Sequence, residues 1–201
     1  MRPHFTPEKL LKIMTEFCSK DETRPQLQGI FYDPSHDRGN CVATNGYRMA
    51  VVGNRLGENP DSFGLFDEKL KGLIINPKTM LTIYRDYPKW QDVFPIKKQD
   101  LPWERLEIEA GRAKSWVEQN DFFIETAISG PRFVPRPSNP EEGQPEWIYG
   151  GEVIGPLFRL FGGKTVLHCI HGESFPALIV KTQQIQMLFV LKRNNLWTEG
   201  E

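Results

Sequence analysis

Few residues in this 201-residue chain combine the types and the spacing that support catalysis or metal binding. The closest group is His168-Cys169, followed two positions later by His171. On a strand, residues three apart point to opposite faces of the sheet, so these two imidazoles could not easily share one metal ion. We therefore expect packed or hydrogen-bonded side chains at this position, with a metal site as the competing interpretation.

Two groups of acidic residues could support acid–base chemistry. Asp33, His36 and Asp37 fall in a polar run whose residue types commonly form turn hydrogen bonds, so a solvated turn is the expectation. Glu107 and Glu109 lie on one side of a predicted strand, where a solvated face is expected rather than an acid–base pair. The sequence lacks a phosphate-binding glycine loop, a nucleophile elbow and an HExxH helix. It thus favours a non-enzymatic protein without cofactor or metal; a small enzyme using the Asp33 loop or the His168 strand is the alternative.

Composition narrows the class of protein. Apolar residues make up 39% of the chain and charged residues 25%, as in an ordinary globular protein. The 25 basic and 26 acidic residues exclude a strongly basic nucleic-acid coat, but they allow a basic patch on one face. No apolar run approaches the roughly 18–20 residues of a membrane span, and the N-terminus lacks the apolar segment of a signal peptide. These features predict a cytoplasmic protein with reduced thiols at Cys18, Cys41 and Cys169.

The first part of the chain predicts one helix followed by three strands. Thr6 is a favourable N-cap and Pro7 suits the first helical position, while Arg24-Pro25 ends the segment. An apolar stripe with spacings of three and four supports the helix: Leu10, Leu11, Met14, Phe17 and Cys18. The predicted strands are Leu27–Asp33, Cys41–Thr44 and Tyr47–Val52, with Asn45-Gly46 favouring a type I′ hairpin turn between the last two.

The same pattern recurs twice. Leu73–Ile75 predicts a strand, and Asn76-Pro77 predicts the start of a second helix with the apolar stripe Met80, Leu81, Tyr84 and Tyr87. Strands are then predicted at residues 106–109, 115–118 and 122–128, after a loop at 86–102. A proline-rich loop at 131–145 precedes a third repeat, with a short helix from Gly155-Pro156 and strands at 164–171, 177–181 and 187–192. We expect two domains: residues 1–135 with two repeats, and residues 136–201 with a linker and a third half-domain repeat packed against the first domain.

Two sequence motifs in the first repeat resemble those of a known family. Arg24-Pro25-Gln26-Leu27-Gln28-Gly29 is followed by Ala43-Thr44-Asn45-Gly46-Tyr47-Arg48-Met49-Ala50. Together they resemble the bacterial sliding clamp, the beta subunit of DNA polymerase III. In that family the second motif is Ala-Thr-Asp-Gly-His-Arg-Leu-Ala. Weaker likenesses occur at residues 74–78, 106–111, 122–126, 175–180 and 188–193. The resemblance implies an α+β DNA-clamp (processivity) fold, built from repeats of one helix followed by three antiparallel strands.

The chain departs from the family in two ways. Clamp chains have three domains of two repeats each, whereas this sequence has about three repeats. The family also has a Phe-Pro-Asp-Tyr segment after the strands of its second repeat. Here the similar Tyr87–Pro95 precedes those strands, and Gly130–Phe133 stands at the family's position. Either segment could be the counterpart.

The resemblance implies a sliding-clamp-like DNA-replication accessory protein that binds duplex DNA non-specifically through basic residues on its helices. The implied DNA contacts are Lys9, Lys12, Lys20, Arg24, Lys78 and Arg85. It also implies a pocket for short peptides of polymerase or repair proteins, formed by Leu27, Thr44, Gly46, Tyr47, Arg48, Met49, Leu188 and Val190. A homo-oligomer is possible, because the chain is short for the family. The alternative is a clamp-fold interaction module, of phage or mobile-element type, that does not encircle DNA.

Overall fold

The computed structural model describes residues 5–35, 39–53, 65–93, 104–109, 119–127, 130–135, 147–161, 164–172, 175–182, 185–190 and 192–193. The chain divides into two compact units. Unit 1 is Met1–Asp100 with Lys181–Leu188, and unit 2 is Leu101–Val180 with Phe189–Glu201. This division falls near residue 100 rather than at the predicted residue 135.

The elements follow one another in this order. Unit 1 contains α1 (Pro7–Phe17), β1 (Ile30–Asp33), β2 (Asn40–Thr44), β3 (Arg48–Gly53), β4 (Ile74–Ile75), β5 (Thr82–Ile83) and α2 (Trp90–Val93). The rest of the chain contains β6 (Glu104–Glu109), β7 (Asp121–Ala127), β8 (Gly130–Pro135), β9 (Trp147–Gly150), α3 (Gly151–Leu160), β10 (Lys164–Gly172), β11 (Phe175–Lys181), β12 (Ile185–Val190) and β13 (Lys192–Arg193). No helix within the described ranges is long and apolar enough to cross a membrane.

Helix α1 begins as the sequence predicts. The Thr6 hydroxyl accepts a hydrogen bond from the Lys9 amide at 3.4 Å, and Pro7 occupies the first turn. The helix ends earlier than predicted, at Phe17 rather than at Arg24-Pro25. Cys18 is already extended, and the Ser19 amide donates to the Leu27 carbonyl at 2.7 Å, which redirects the chain. Its buried face is Leu10, Ile13, Met14 and Phe17.

The strands of unit 1 form an antiparallel sheet in the order β5-β4-β1-β2-β3, followed by the part of β12 that belongs to this unit. The predicted first strand starts three residues late, because Pro25–Leu27 forms a turn of 3₁₀ helix. The prediction of one helix followed by three strands is confirmed for this repeat, and α1 packs against β2 and β3.

The predicted second helix is wrong. The Asn76 side chain accepts hydrogen bonds from the Lys78 and Thr79 amides, as a cap would, and the Met80 amide donates to the Asn76 carbonyl. Met80 then turns to a left-handed φ of 58°, and the Asn76 amide donates to the Leu81 carbonyl at 2.8 Å. The chain therefore leaves the helical conformation after one turn. It returns antiparallel to β4 as β5, with Ile83 opposite Ile74.

Residues 87–93, here called the strap, lie on the sheet instead of a second helix. The Tyr87 ring stacks on Phe31 with 4.9 Å between ring centroids, and its hydroxyl donates to the Val42 carbonyl at 3.4 Å. The indole of Trp90 is buried and donates through Nε1 to Asp33 Oδ2 at 2.7 Å. Part of the loop predicted at 86–102 is thus a short helix, α2, anchored to β1.

The strap covers one face of β1. Phe31 and Asp33 are two residues apart on β1, so their side chains point to the same face of the strand. Their partners Tyr87 and Trp90 therefore lie on that face. Burial raises the pKa of the Tyr87 hydroxyl, and the adjacent Cys18 at the end of α1 raises it further. The Tyr87 hydroxyl therefore lies near Cys18, the residue that follows α1.

Unit 2 repeats the arrangement around α3. The helix starts at Gly151, four residues before the predicted Gly155, and β10, β11 and β12 follow it in the chain, as predicted for the third repeat; residues 185–188 of β12 belong to unit 1. The rings of Phe122 and Phe133 lie 5.8 and 5.5 Å from Phe158 of α3. Strand order is β11-β10-β6 in one part of the unit and β13-β9-β7-β8 in another.

One predicted loop in unit 2 is partly a strand. Residues 131–135 belong to β8, which pairs with β7 from Phe122 opposite Pro135 to Ala127 opposite Gly130. Pro131 and Pro135 are accommodated because β8 is the outer strand of its sheet, where a missing amide donor costs little. The strand predicted at 115–118 and the loop residues 136–145 lie outside the described residues.

We predict that the Trp90 indole stabilises unit 1 through its hydrogen bond. Trp90→Phe keeps an aromatic ring but removes the donor from a buried carboxylate, so the free energy of unfolding should fall by about 1.5–3 kcal/mol. Urea unfolding followed by circular dichroism measures this. Gln91→Ala is the matched control, because exposed Gln91 donates to the same oxygen at 2.9 Å and should cost less. Equal stability of Trp90→Phe and the wild type would contradict the prediction.

Candidate functional site

The hairpin between β2 and β3 is the best-defined feature of the site. The Asn45 side chain accepts hydrogen bonds from the amides of Tyr47 and Arg48, both at 3.0 Å. The Thr44 hydroxyl donates to the Arg48 carbonyl at 2.8 Å and accepts from the Gly46 amide at 3.1 Å. Gly46 has a φ of +94°, but Asn45 does not adopt a positive φ. The hairpin is thus at the predicted position, while the type I′ turn is wrong, because the Asn45 side chain closes the loop instead.

Arg48 joins this hairpin to helix α1. Its Nη2 donates to the Glu16 carbonyl at 2.8 Å, in the last turn of the helix. Its guanidinium carbon also lies 5.8 Å from the centroid of the Phe17 ring. A cation at the carboxyl end of a helix interacts favourably with the helix dipole. Arg48 therefore links the hairpin to α1, in addition to its predicted role in a peptide pocket.

Arg24 lies beside the tip of the hairpin. Its Nε forms an ion pair with Asp21 at 2.8 Å, and a β-carbon added at Gly46 would be 3.2 Å from its Nη1. The Thr23 hydroxyl and amide, followed by Arg24, hold the pKa of Asp21 down at about 2. Asp21 was not identified from the sequence, although an Asp followed two residues later by Thr is a common local turn signal.

The predicted pocket residues divide by exposure. Leu27, Thr44, Met49 and Leu188 are buried, so they offer no open surface to a peptide. Gly46 is exposed and Tyr47 is 60% exposed at the tip. Leu188 belongs to unit 1 and the half-buried Val190 belongs to unit 2.

The predicted DNA-binding residues occupy different local structures. Lys9 and Lys12 are exposed on α1, and Lys20 is exposed just after it. Lys78 and Arg85 are exposed but lie in the turn after β4 and beyond β5, because the second helix is absent. Lys78 nevertheless lies near the end of α1. Burial raises the pKa of Cys18 to about 12, and the nearby Lys78 charge opposes that rise.

The other candidate residues offer little chemistry. Asp33 is buried and accepts hydrogen bonds from the Trp90 and Gln91 side chains and, at 2.8 Å, from the Ser35 amide. His36 and Asp37 lie outside the described residues. His168 is exposed while Cys169 is buried. In the part of the chain that the structure describes, no three His, Cys, Asp or Glu side chains are grouped to hold a metal ion. Nothing is described for the side chains of His171, Glu107 and Glu109.

Comparison with known proteins identifies the fold. No protein-family model and no curated protein matches the chain. Solved structures do match, among them three DNA polymerase III beta subunits. The Bartonella birtlesii clamp matches with a TM-score of 0.61 and 14% identity, over 93% of this chain and 65% of that one. The Caulobacter crescentus protein has a TM-score of 0.62 and 12% identity, over 96% and 66%. The Borrelia burgdorferi protein has a TM-score of 0.60 and 12% identity, over 92% and 61%.

The chain has the sliding-clamp fold. The predicted α+β class and the resemblance to clamps are therefore confirmed at the level of the fold. The chain spans just under two thirds of the length of these clamps. The clamp-like hairpin motif at residues 43–50 lies in unit 1, which also contains α1 with its lysines.

We predict that Arg48 is required for the stability of unit 1. Arg48→Met keeps much of the side-chain volume but removes the donor to the Glu16 carbonyl, so unfolding should become easier by about 1–3 kcal/mol. Urea denaturation gives the change. Tyr47→Ser, at the neighbouring exposed position, should leave the midpoint nearly unchanged. A wild-type midpoint for Arg48→Met would show that the link contributes nothing.

Proposed function

We propose that this chain is a sliding-clamp-like, non-enzymatic accessory protein of DNA replication that binds duplex DNA non-specifically. The observation that supports this most strongly is the fold, which matches DNA polymerase III beta subunits over more than nine tenths of the chain. Such binding requires cations that reach phosphates without fixed hydrogen-bond geometry, so that the protein can move along the duplex.

Helix α1 supplies suitable cations. Lys9 and Lys12 are three residues apart and therefore share one face of the helix, and both are exposed. Lys20 and Lys78 extend the basic surface at the other end of α1. Glu8 and Glu16 also lie on this helix, and the backbone and Thr6 hydrogen bonds at Glu8 lower the pKa of that carboxyl. The attraction between this basic surface and DNA therefore involves only a few phosphates. It is compatible with the net charge of −1 of the whole chain.

The test is salt-dependent binding to a duplex of arbitrary sequence. Wild-type affinity should fall as salt rises, with a log–log slope of about −2 to −4 for two to four neutralised phosphates. Combined Lys9→Glu and Lys12→Glu should weaken binding at least about tenfold and flatten the slope. Fluorescence anisotropy measures both quantities.

A charge-matched control separates local contact from total charge. Lys69→Glu with Lys71→Glu changes the net charge equally, but at the 3₁₀ turn before β4. This control should bind nearly as the wild type does. A wild-type protein that shows no salt-dependent binding would overturn the DNA part of the proposal and favour the interaction-module alternative.

We further propose that the Thr44–Met49 hairpin docks short, apolar-anchored peptides of polymerase or repair proteins. Its tip offers the exposed ring of Tyr47, the side-chain-free Gly46 and the adjacent guanidinium of Arg24. An exposed aromatic side chain next to a cation is typical of surfaces that bind a few anchor residues. Two of the matched structures contain a ligand: the Bartonella birtlesii protein is bound to griselimycin, and the Borrelia burgdorferi protein is in complex with a natural product.

Tyr47→Asp should weaken binding of a fluorescent pentapeptide anchored by leucine and phenylalanine by about tenfold or more, since the aromatic contact is replaced by a charge. Fluorescence anisotropy measures the affinity. Tyr84→Asp is the matched control, because Tyr84 is also exposed but lies after β5. Equal loss in both variants, or none in Tyr47→Asp, would contradict docking at this hairpin.

A further inference from the structure

Arg24 is held in one position by the loop in which it lies. Its Nε donates to Asp21 Oδ2 at 2.8 Å, and its backbone amide donates to the Asp21 carbonyl at 3.2 Å. The Gln28 side chain donates to the same carbonyl at 3.2 Å, and the Asp21 amide donates to the Ser19 hydroxyl at 3.1 Å. The loop between α1 and β1 is therefore closed by its own hydrogen bonds around the Asp21–Arg24 pair.

The Asp21 carboxylate already has a donor at each oxygen. Oδ1 accepts from the Thr23 hydroxyl at 2.6 Å and from the Thr23 amide at 2.9 Å, while Oδ2 accepts from Arg24. The Thr23 hydroxyl and amide, followed by Arg24, hold the pKa of Asp21 at about 2, so this carboxylate is charged at neutral pH. The pair that fixes Arg24 is therefore present under ordinary assay conditions.

The outer edge of the Arg24 guanidinium can accept a ligand. Its side chain is 42% exposed, and neither Nη atom has an acceptor among the described residues. A β-carbon added at Gly46 would be 3.2 Å from Nη1, so this edge lies against the tip of the hairpin, next to the exposed Tyr47. Because the Nε edge is bound to Asp21, the two Nη groups remain as a planar fork, and such a fork matches a carboxylate.

We propose that Asp21 is a positioning residue that directs Arg24 towards the hairpin, where Arg24 selects peptides with a carboxylate beside their apolar anchors. This inference rests on the proposed peptide docking at the hairpin and adds the charge of the ligand to it. A guanidinium of fixed orientation recognises a single, well-placed acceptor better than it recognises a row of equivalent ones.

The same geometry makes Arg24 less suitable for the DNA contact that the family resemblance implies. Sliding along a duplex needs cations that exchange one phosphate for the next without fixed geometry. The Asp21 carboxylate also lies 2.8 Å from Arg24, and its charge opposes the dense charge of a duplex more than that of one peptide carboxylate. Arg24 thus belongs to the hairpin, and the exposed lysines remain for DNA.

The test compares two fluorescent pentapeptides with the same leucine and phenylalanine anchors, one with glutamate and the other with glutamine next to them. By anisotropy, the wild type should bind the glutamate peptide about fivefold more tightly. Arg24→Gln should abolish this preference, and Asp21→Asn should reduce it to less than about twofold. Total charge predicts the opposite for Asp21→Asn, because removal of an acid would strengthen the binding of an anion. A decrease therefore reports the position of Arg24.

Two controls separate positioning from folding and from charge. Asn at position 21 can still accept from Thr23, and exposed ion pairs add little stability, so Asp21→Asn should keep the urea midpoint. Glu68→Gln removes the same charge from another ion pair between residues three apart, with Lys71, and should keep the peptide preference. An increased preference in Asp21→Asn, or equal losses in both variants, would overturn the positioning role.

DNA binding of the same variants gives the remaining outcomes. Arg24→Gln should leave the salt dependence of duplex binding unchanged, whereas a slope reduced by about one would assign Arg24 to DNA and overturn the inference. A wild type that binds both peptides equally through Tyr47 would overturn the selection by charge and leave peptide docking intact. A wild type that binds neither peptide would overturn both.

Discussion

The hydrogen bond from the Trp90 indole to Asp33 is the interaction on which the architecture of unit 1 depends. It fixes the strap across a sheet face that would otherwise expose Phe31 and the backbone of β2. A buried carboxylate is costly unless its oxygens are satisfied, and Asp33 meets this condition with donors from Trp90, Gln91 and the Ser35 amide. The polar contact and the aromatic stacking of Tyr87 together cover this face of β1.

The absence of the predicted second helix from the described residues of unit 1 has consequences beyond the core. With the strap on the sheet, α1 is the only helix of more than one turn among the described residues of unit 1. The proposed DNA contact is therefore centred on α1, with Lys78 reaching its end from a turn. The same absence leaves residues 80–84 with no helical face to bury, so Met80, Leu81 and Tyr84 stay at the sheet edge.

Comparison of two similar starting signals shows what the sequence could predict. Thr6-Pro7 and Asn76-Pro77 both combine a capping residue with proline, and both side chains accept the expected amides. Only the first is followed by a helix, because its apolar stripe packs on β2 and β3. In the second, only Tyr87 packs on the sheet, through a partner that local periodicity cannot reveal. The Asp33–Trp90 pair is separated by 57 residues, so no pattern within either segment indicates it. The hairpin and its neighbours were predictable because their hydrogen bonds are local.

The hairpin also shows which residues are available for recognition. Thr44, Asn45 and Gly46 build the turn, and Arg48 fastens it to α1, so each has a structural partner within unit 1. Tyr47 is the large exposed side chain of the turn, and the Arg24 guanidinium lies beside the neighbouring Gly46. Tyr84 has the opposite surroundings, with apolar neighbours and an outer strand. A flexible peptide with a few anchors suits the first setting, because it needs a small aromatic contact. The second setting instead combines exposed apolar side chains with the open backbone of an outer strand.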